Sequence, residues 1–163
     1  MKRRKGFTLV ELMIVIFVLA CIAAISGLLL QSYTLNRNLR TAARDIASDF
    51  ALYKGRAISE NTTYQIVFDV TVPGSYTIQS VVNPGPVVTN LMTKKPSSFG
   101  SGISIVSATF GPGAAQTVVF NPRGTISPLG GAFDGVVLQN SRNSQATITV
   151  NLTGRTYVTF NII

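Results

Sequence analysis

Residues 7 to 30 form an apolar run that holds a single charged side chain, Glu11, and no proline. A run of that length satisfies its own backbone as a helix and is long enough to span the hydrocarbon core of a bilayer. Its fifteen Leu, Ile, Phe and Val residues, at roughly 0.3–0.6 kcal/mol each, outweigh the about 2.5–3.5 kcal/mol that one charge costs at mid-membrane. The segment is therefore expected to insert despite Glu11. An ionisable group held in such a place calls for a partner, and the partner expected for this carboxylate is an amine.

The charges around the run give it a direction. Lys2, Arg3, Arg4 and Lys5 precede it directly, and the next basic residue after it is Arg37. The positive-inside rule then puts the N-terminus in the cytoplasm and the rest of the chain on the other side of the membrane. The same four residues supply half of the formal charge of +8, so without them the chain carries only +4, a weak case for a nucleic-acid partner.

Three ordinary readings of such an N-terminus compete. A secretory signal peptide could be cut at Ala24-Ile25-Ser26, but its apolar region is normally about 7–15 residues and uncharged. Val18-Leu19-Ala20-Cys21 only partly resembles a lipoprotein box, with Leu19 where a small residue is usual. A plain signal anchor tolerates a charge near one end, yet gives no reason for Gly6 directly before Phe7.

Gly6-Phe7-Thr8-Leu9-Val10-Glu11 behind a short basic leader resembles the type IV prepilin signature. The resemblance implies that a membrane prepilin peptidase cuts between Gly6 and Phe7, that the new amino group of Phe7 is N-methylated, and that Glu11 attracts the terminal amine of a neighbouring subunit during filament assembly. The physics agrees with that role, because a carboxylate and an ammonium that both lose water recover the loss chiefly by pairing.

Past residue 30 the hydrophobic pattern becomes periodic. Leu35, Leu39, Ala42 or Ala43, Ile46, Phe50, Tyr53 and Ala57 recur at three and four, the stripe of an amphipathic helix. With no proline before Pro73, this helix is expected to continue the first as a rod ending near Ser59. Arg37, Arg40 and Arg44 share one face at helical spacing, read as a solvated face or as contacts to headgroups or acidic neighbours.

From Thr62 onward the period is two. Tyr64, Ile66 and Phe68 alternate with polar residues, Pro73-Gly74 makes a turn, and Tyr76, Ile78, Ser80 and Val82 resume the alternation, which predicts a hairpin. Further strands are expected at about 103–109, 116–121, 134–139, 146–152 and 155–161, the last two as a terminal hairpin. Residues 83–101, 111–115 and 127–131 are expected to be loops, the first a partner-binding or mobile one. The fold class is α+β, a long N-terminal helix packed on a C-terminal antiparallel β domain. The organisation expected is a cleaved leader at 1–6, a transmembrane and assembly helix at 7–30, an amphipathic helix at 31–61 and a β-rich globular domain at 62–163.

That domain offers little to catalysis. From Thr62 to Ile163 there is no His, Cys or Glu, and the acids are Asp69 and Asp134. Acid-base, nucleophilic and metal chemistry all need clusters of such groups. The two aspartates are read as turn stabilisers, and Gly111-Pro112-Gly113 lacks the lysine and helix of a phosphate-binding loop. No enzyme activity, cofactor or metal is expected. Cys21, the only cysteine, leaves no intramolecular disulfide.

Phe120-Asn121-Pro122-Arg123-Gly124, a glycine-rich loop, Gly135-Val136-Val137-Leu138, then Ile148, Val150, Gly154 and Arg155 resemble the C-terminal domain of the GspH/FimT group of minor pilins and pseudopilins. The resemblance implies a pilin-like fold in a non-catalytic subunit that joins or primes a type II secretion pseudopilus or a type IV pilus. Its partners would be other pilins or pseudopilins, the prepilin peptidase and the bacterial inner membrane, with the C-terminal domain periplasmic or in an extracytoplasmic filament. Arg155 and Arg123 are the candidate partner contacts. Gly124 and Gly154 are read as positions needing backbone angles closed to other residues. The alternative is a competence-type minor pilin that captures extracellular DNA. It is disfavoured, because the DNA-binding members of the group that the resemblance implies carry a second arginine two places after the Gly-Arg pair, whereas Thr156 and Tyr157 follow here. Lys94, Lys95, Arg123, Arg142 and Arg155 would have to converge on one face, and the charge from Thr62 onward is only +3.

Overall fold

The computed structural model describes residues 8–82, 87–131 and 133–163, and their side chains apart from those of 24–32. Contacts divide the chain into two units, Met1–Thr34 and Leu35–Ile163. A helix, α1, is assigned over Leu9–Ser59.

In the first unit Thr8 caps the helix: its hydroxyl accepts from the Glu11 amide at 3.2 Å and its carbonyl from the Leu12 amide at 3.1 Å. The apolar side chains of this segment, Phe17 and Leu19 among them, are exposed. Among the described residues no helix is long and apolar enough to cross a membrane. The expected span takes in Phe7 and the side chains of 24–30, which lie outside the described residues.

The second unit is built on the stripe of α1. Leu39, Ala42, Ala43, Ile46, Phe50, Tyr53 and Ala57 are all buried, while Arg37, Arg40 and Arg44 are exposed. The Arg40 guanidinium stands 5.4 Å from the ring centre of Phe160, so it covers apolar surface as well as facing water.

Two antiparallel sheets supply the rest of the core. The first has five strands in the order β3-β2-β1-β5-β6: β1 Thr63–Asp69, β2 Ser75–Val82, β3 Val87–Lys94, β5 Thr117–Phe120 and β6 Ile126–Ser127. The second has four in the order β4-β7-β8-β9: β4 Ser104–Thr109, β7 Gly135–Gln139, β8 Gln145–Val150 and β9 Thr156–Asn161. The β1–β2 hairpin has the register expected from the alternation, Ile66 opposite Ile78 and Phe68 opposite Tyr76, with Gly74 at φ +87° in the turn. The terminal hairpin of β8 and β9 also forms.

Phe50 stands at the centre of the core. Its ring meets those of Phe68, Phe120 and Phe110 at centroid distances of 6.2, 5.7 and 6.4 Å, so the helix, the five-stranded sheet and the residue that follows β4 share one aromatic cluster. Near the other end of the domain, buried Asn140 donates to the Asn36 side chain at 2.9 Å and accepts the Arg142 and Ser144 amides at 3.0 Å. The β7–β8 turn is thereby tied to the helix.

Of the loop expected at 83–101, residues 83–86 lie outside the described residues and the remainder departs from expectation. Val87–Lys94 form a strand, and Pro96–Phe99 a single 3-10 turn. The alternation test fails on β3 because neither of its faces is buried: every residue from Val87 to Thr93 is exposed. Its position comes instead from the ladder with β2 and from side-chain bonds along it, Gln79 to Asn90 at 2.7 Å and Thr77 to Thr93 at 3.0 Å. Strand β6, only two residues long, is too short to leave a period in the sequence.

Candidate functional site

Of the residues expected to act at the N-terminus, Gly6 and Phe7 lie outside the described residues. Glu11 sits in the first turn of α1 and is exposed. Negative charge is favoured there by the unpaired helix amides.

The two candidate contact arginines lie on turns that meet at the C-terminal end of the helix. Arg123 belongs to the β5–β6 turn and Arg155 to the β8–β9 turn, and both are exposed. Each adjoins a glycine with positive φ, +79° at Gly124 and +74° at Gly154. A Cβ on Gly154 would stand 2.6 Å from Cδ of Lys54, and one on Gly124 would stand 3.2 Å from Cδ1 of Ile58 and 4.0 Å from Cε of Lys54. The lysine stem therefore runs beneath both turns, and its ammonium donates to the Thr153 carbonyl at 2.6 Å. The Ile126 amide donates to the Leu152 carbonyl at 3.3 Å and joins the turns directly. Among the described residues neither arginine is in an ion pair with an acid. Glu60, just past the helix, is already bound by Arg56 at 2.8 Å and by the Tyr64 hydroxyl. The hydrogen bond from Arg56, followed by that from Tyr64, holds the Glu60 carboxyl below its ordinary pKa.

Two adjoining clefts open beside Arg123. The larger, about 450 Å³, is lined by Asn61, Asn121, Pro122, Arg123 and Thr125. The smaller, about 140 Å³, shares Asn61 and Pro122 and reaches Val81 and Val82.

Lys94 does not join this surface. It sits at the end of β3, where its ammonium contacts Asp49 at 2.8 Å and Asp45 at 3.0 Å. The Tyr76 hydroxyl donates to the same pair, 2.8 Å from Asp49 and 3.0 Å from Asp45. Burial, followed by the hydrogen bond to Asp49, drives the Tyr76 hydroxyl far above its ordinary pKa. Partial burial disfavours the Lys94 ammonium, but its hydrogen bonds to Asp49 and Asp45 outweigh that and leave its pKa raised. Sequence reasoning overlooked this cluster. A signal was available: Asp45 and Asp49 stand one helical turn apart, each next to a residue of the apolar stripe, where an acid needs a counter-ion.

The remaining acids of the β domain hold turns. Asp69 accepts the Thr71 amide at 2.9 Å and hydroxyl at 2.6 Å. Asp134 accepts the amides of Gly111 at 2.6 Å and Gly130 at 2.9 Å. Among the described residues no group of His, Cys, Asp and Glu side chains is placed to hold a metal ion.

Residues 1–27 match the prokaryotic N-terminal methylation motif, and residues 42–154 match the family of type II transport protein GspH. A comparison with curated proteins finds no match. Among solved structures, the minor pseudopilin EpsH of the Vibrio cholerae type 2 secretion system aligns with a TM-score of 0.58 at 12% identity, over 76% of this chain and 97% of that one. The type IV minor pilin FimU of Pseudomonas aeruginosa aligns with a TM-score of 0.53 at 14% identity, over 78% of this chain and 92% of that one. At such identities the likeness is one of fold, and the fold is the pilin-like one.

Proposed function

Because the chain belongs to the type II transport protein GspH family, we propose that it is a minor subunit of an envelope filament, a non-catalytic part that joins or primes a pseudopilus or pilus. One observation carries this reading: a methylation motif over residues 1–27 and a GspH domain over residues 42–154 stand on the same chain. In this reading peptidase cleavage after Gly6 frees the amino group of Phe7 for methylation. Residues 7–30 lie in the inner membrane before assembly, and the domain lies beyond it. Glu11 then draws in the terminal amine of a neighbouring subunit, which sets the axial register between helices.

Capture of extracellular DNA has less support. Lys94 is committed to Asp45 and Asp49, Lys54 donates to Thr153, and Arg155 is followed by Thr156 and Tyr157. Nonspecific DNA affinity grows with the number of phosphates neutralised, and of the basic residues from Thr62 onward Lys94 is already neutralised by two aspartates.

Mass spectrometry of the N-terminal peptide tests the reading, with the full chain made in a host that has an active prepilin peptidase. The expected mature chain starts at a methylated Phe7. A chain starting at Met1, Cys21 or Gly27 would overturn it.

A further inference from the structure

The exposed side of α1 in the second unit is cationic at its start and carries no acid. Arg37, Arg40 and Arg44 stand on it, and the same side continues through Ser48, Ala51 and Gly55, all exposed. At 3.6 residues per turn these residues fall within about 40° of Arg44, whereas Asp45, Asp49 and Glu60 fall about 100–160° away. Those acids are bound on the other side of the helix, Asp45 and Asp49 by Lys94 and Tyr76 and Glu60 by Arg56 and Tyr64. The Arg40 guanidinium also rests 5.4 Å from the centre of the Phe160 ring. Nothing on this side repels an anionic surface, and the small residues beyond Arg44 let the helix lie close to one.

The sequence says which surface is near. This step rests on residues 7–30 anchoring the chain in a membrane before assembly. Arg37 is seven residues past Leu30, so however the two units are arranged it is at most about 25 Å from the end of the apolar run. Arg44 is about 10 Å further along the helix. Tyr33, exposed between the run and the domain, is of a residue type enriched where membrane meets water. A guanidinium stays charged and pairs with phosphate oxygens through two parallel hydrogen bonds, and each one near an anionic bilayer is worth about fivefold in affinity. An acidic neighbouring subunit would meet the same arginines only once the filament forms. We propose that in the unassembled subunit the Arg37–Arg40–Arg44 side of α1 lies on the anionic phospholipid headgroups of the membrane that anchors it, so that the domain is held down on the surface.

The full chain, purified alone and reconstituted into vesicles, tests this. A fluorophore on Ser48→Cys, in a Cys21→Ser background, is read against a nitroxide carried on the lipid headgroups. Strong quenching is expected in vesicles containing phosphatidylglycerol and little in phosphatidylcholine alone. The quenching should disappear at about 1 M salt, where the Debye length is about 3 Å. Exchanging Arg37 and Arg44 together for Gln should lower the ratio of docked to free domain about 25-fold, fivefold for each; Arg40 is kept because it packs on Phe160. The lipid and salt comparisons leave all three arginines in place, so they decide the matter even if the double variant misfolds. Resistance of the chain to alkaline extraction reports the anchor separately. An extracted chain overturns the membrane reading and this inference with it. A resistant chain that is unquenched, quenched equally in both lipids, quenched equally at high salt, or quenched only when other pilins are added overturns the docking inference alone, and so does a folded double variant quenched like the parent.

Discussion

The ammonium of Lys94, on an outermost strand of the larger sheet, lies 2.8 Å from a carboxylate oxygen of Asp49 on the helix. Strand β3 buries no side chain of its own from Val87 to Thr93, so this ion pair and the one to Asp45 give it a side-chain anchor to the helix. They also neutralise Asp49, which is only 5% exposed.

Lys94→Met should therefore destabilise the domain by about 1–3 kcal/mol, chiefly by leaving a buried carboxylate without its cation. A pH titration separates this from a packing defect. The folded-state pKa of Lys94 is raised above the ordinary lysine value of 10.5, so its contribution is fully present below 10.5 and is lost as pH rises through the higher folded value. Melting temperatures of parent and variant should stay apart at pH 7, begin to approach each other above about pH 10.5 and converge once pH passes the raised folded value. A gap that is constant with pH would contradict the ion-pair role.

Phe50→Ala should cost about 3–5 kcal/mol, the usual range for removing a buried ring from a close-packed core. The ring touches aromatic residues from both β1 and β5, as well as Phe110, so the cavity has no single neighbour able to fill it. Urea unfolding monitored by circular dichroism would measure the change, and a loss below about 1 kcal/mol would show that the core collapses onto the gap.

Most of this architecture could be read from periodicity, because burial is what leaves a period. The stripe from Leu39 to Ala57 and the alternation of Tyr64, Ile66 and Phe68 both report faces that the structure buries. Strand β3 left no such trace, since its residues from Val87 to Thr93 face water on both sides and its place depends on a ladder, an amide pair and the ion pairs of its last residue, Lys94, with distant Asp45 and Asp49. The same limit applies to the basic end. Sequence singled out Arg123 and Arg155 one at a time, but that their turns meet over Lys54 depends on a contact between residues 54 and 154, which no local pattern records.

Gly154→Ala probes that meeting point. The residue has φ +74°, and an added Cβ would come within 2.6 Å of the Lys54 stem. The left-handed conformation alone costs a non-glycine residue about 1–2 kcal/mol, and the lysine must also move. The turn is expected to shift, weakening the bond from Lys54 to Thr153. Faster amide hydrogen exchange at Arg155 and Ile126, with protection of the β1–β2 hairpin unchanged, would agree. Unchanged exchange at both turns would show that the stem yields freely.

Glu11→Ala tests assembly apart from insertion. Removing the carboxylate makes residues 7–30 more apolar, so insertion and cleavage after Gly6 should be at least as efficient as in the parent. Incorporation into the filament should fall, because the neighbour's terminal amine would lose its counter-charge inside a low-dielectric bundle. Glu11→Gln separates charge from shape: it keeps the length of the side chain and should fail like the alanine variant if the ion pair matters. Comparing cleaved chain in the membrane fraction with chain in sheared filaments gives both readouts from one culture. Normal incorporation of Glu11→Gln would remove the ion pair from the account and leave packing of the apolar helix as the source of register.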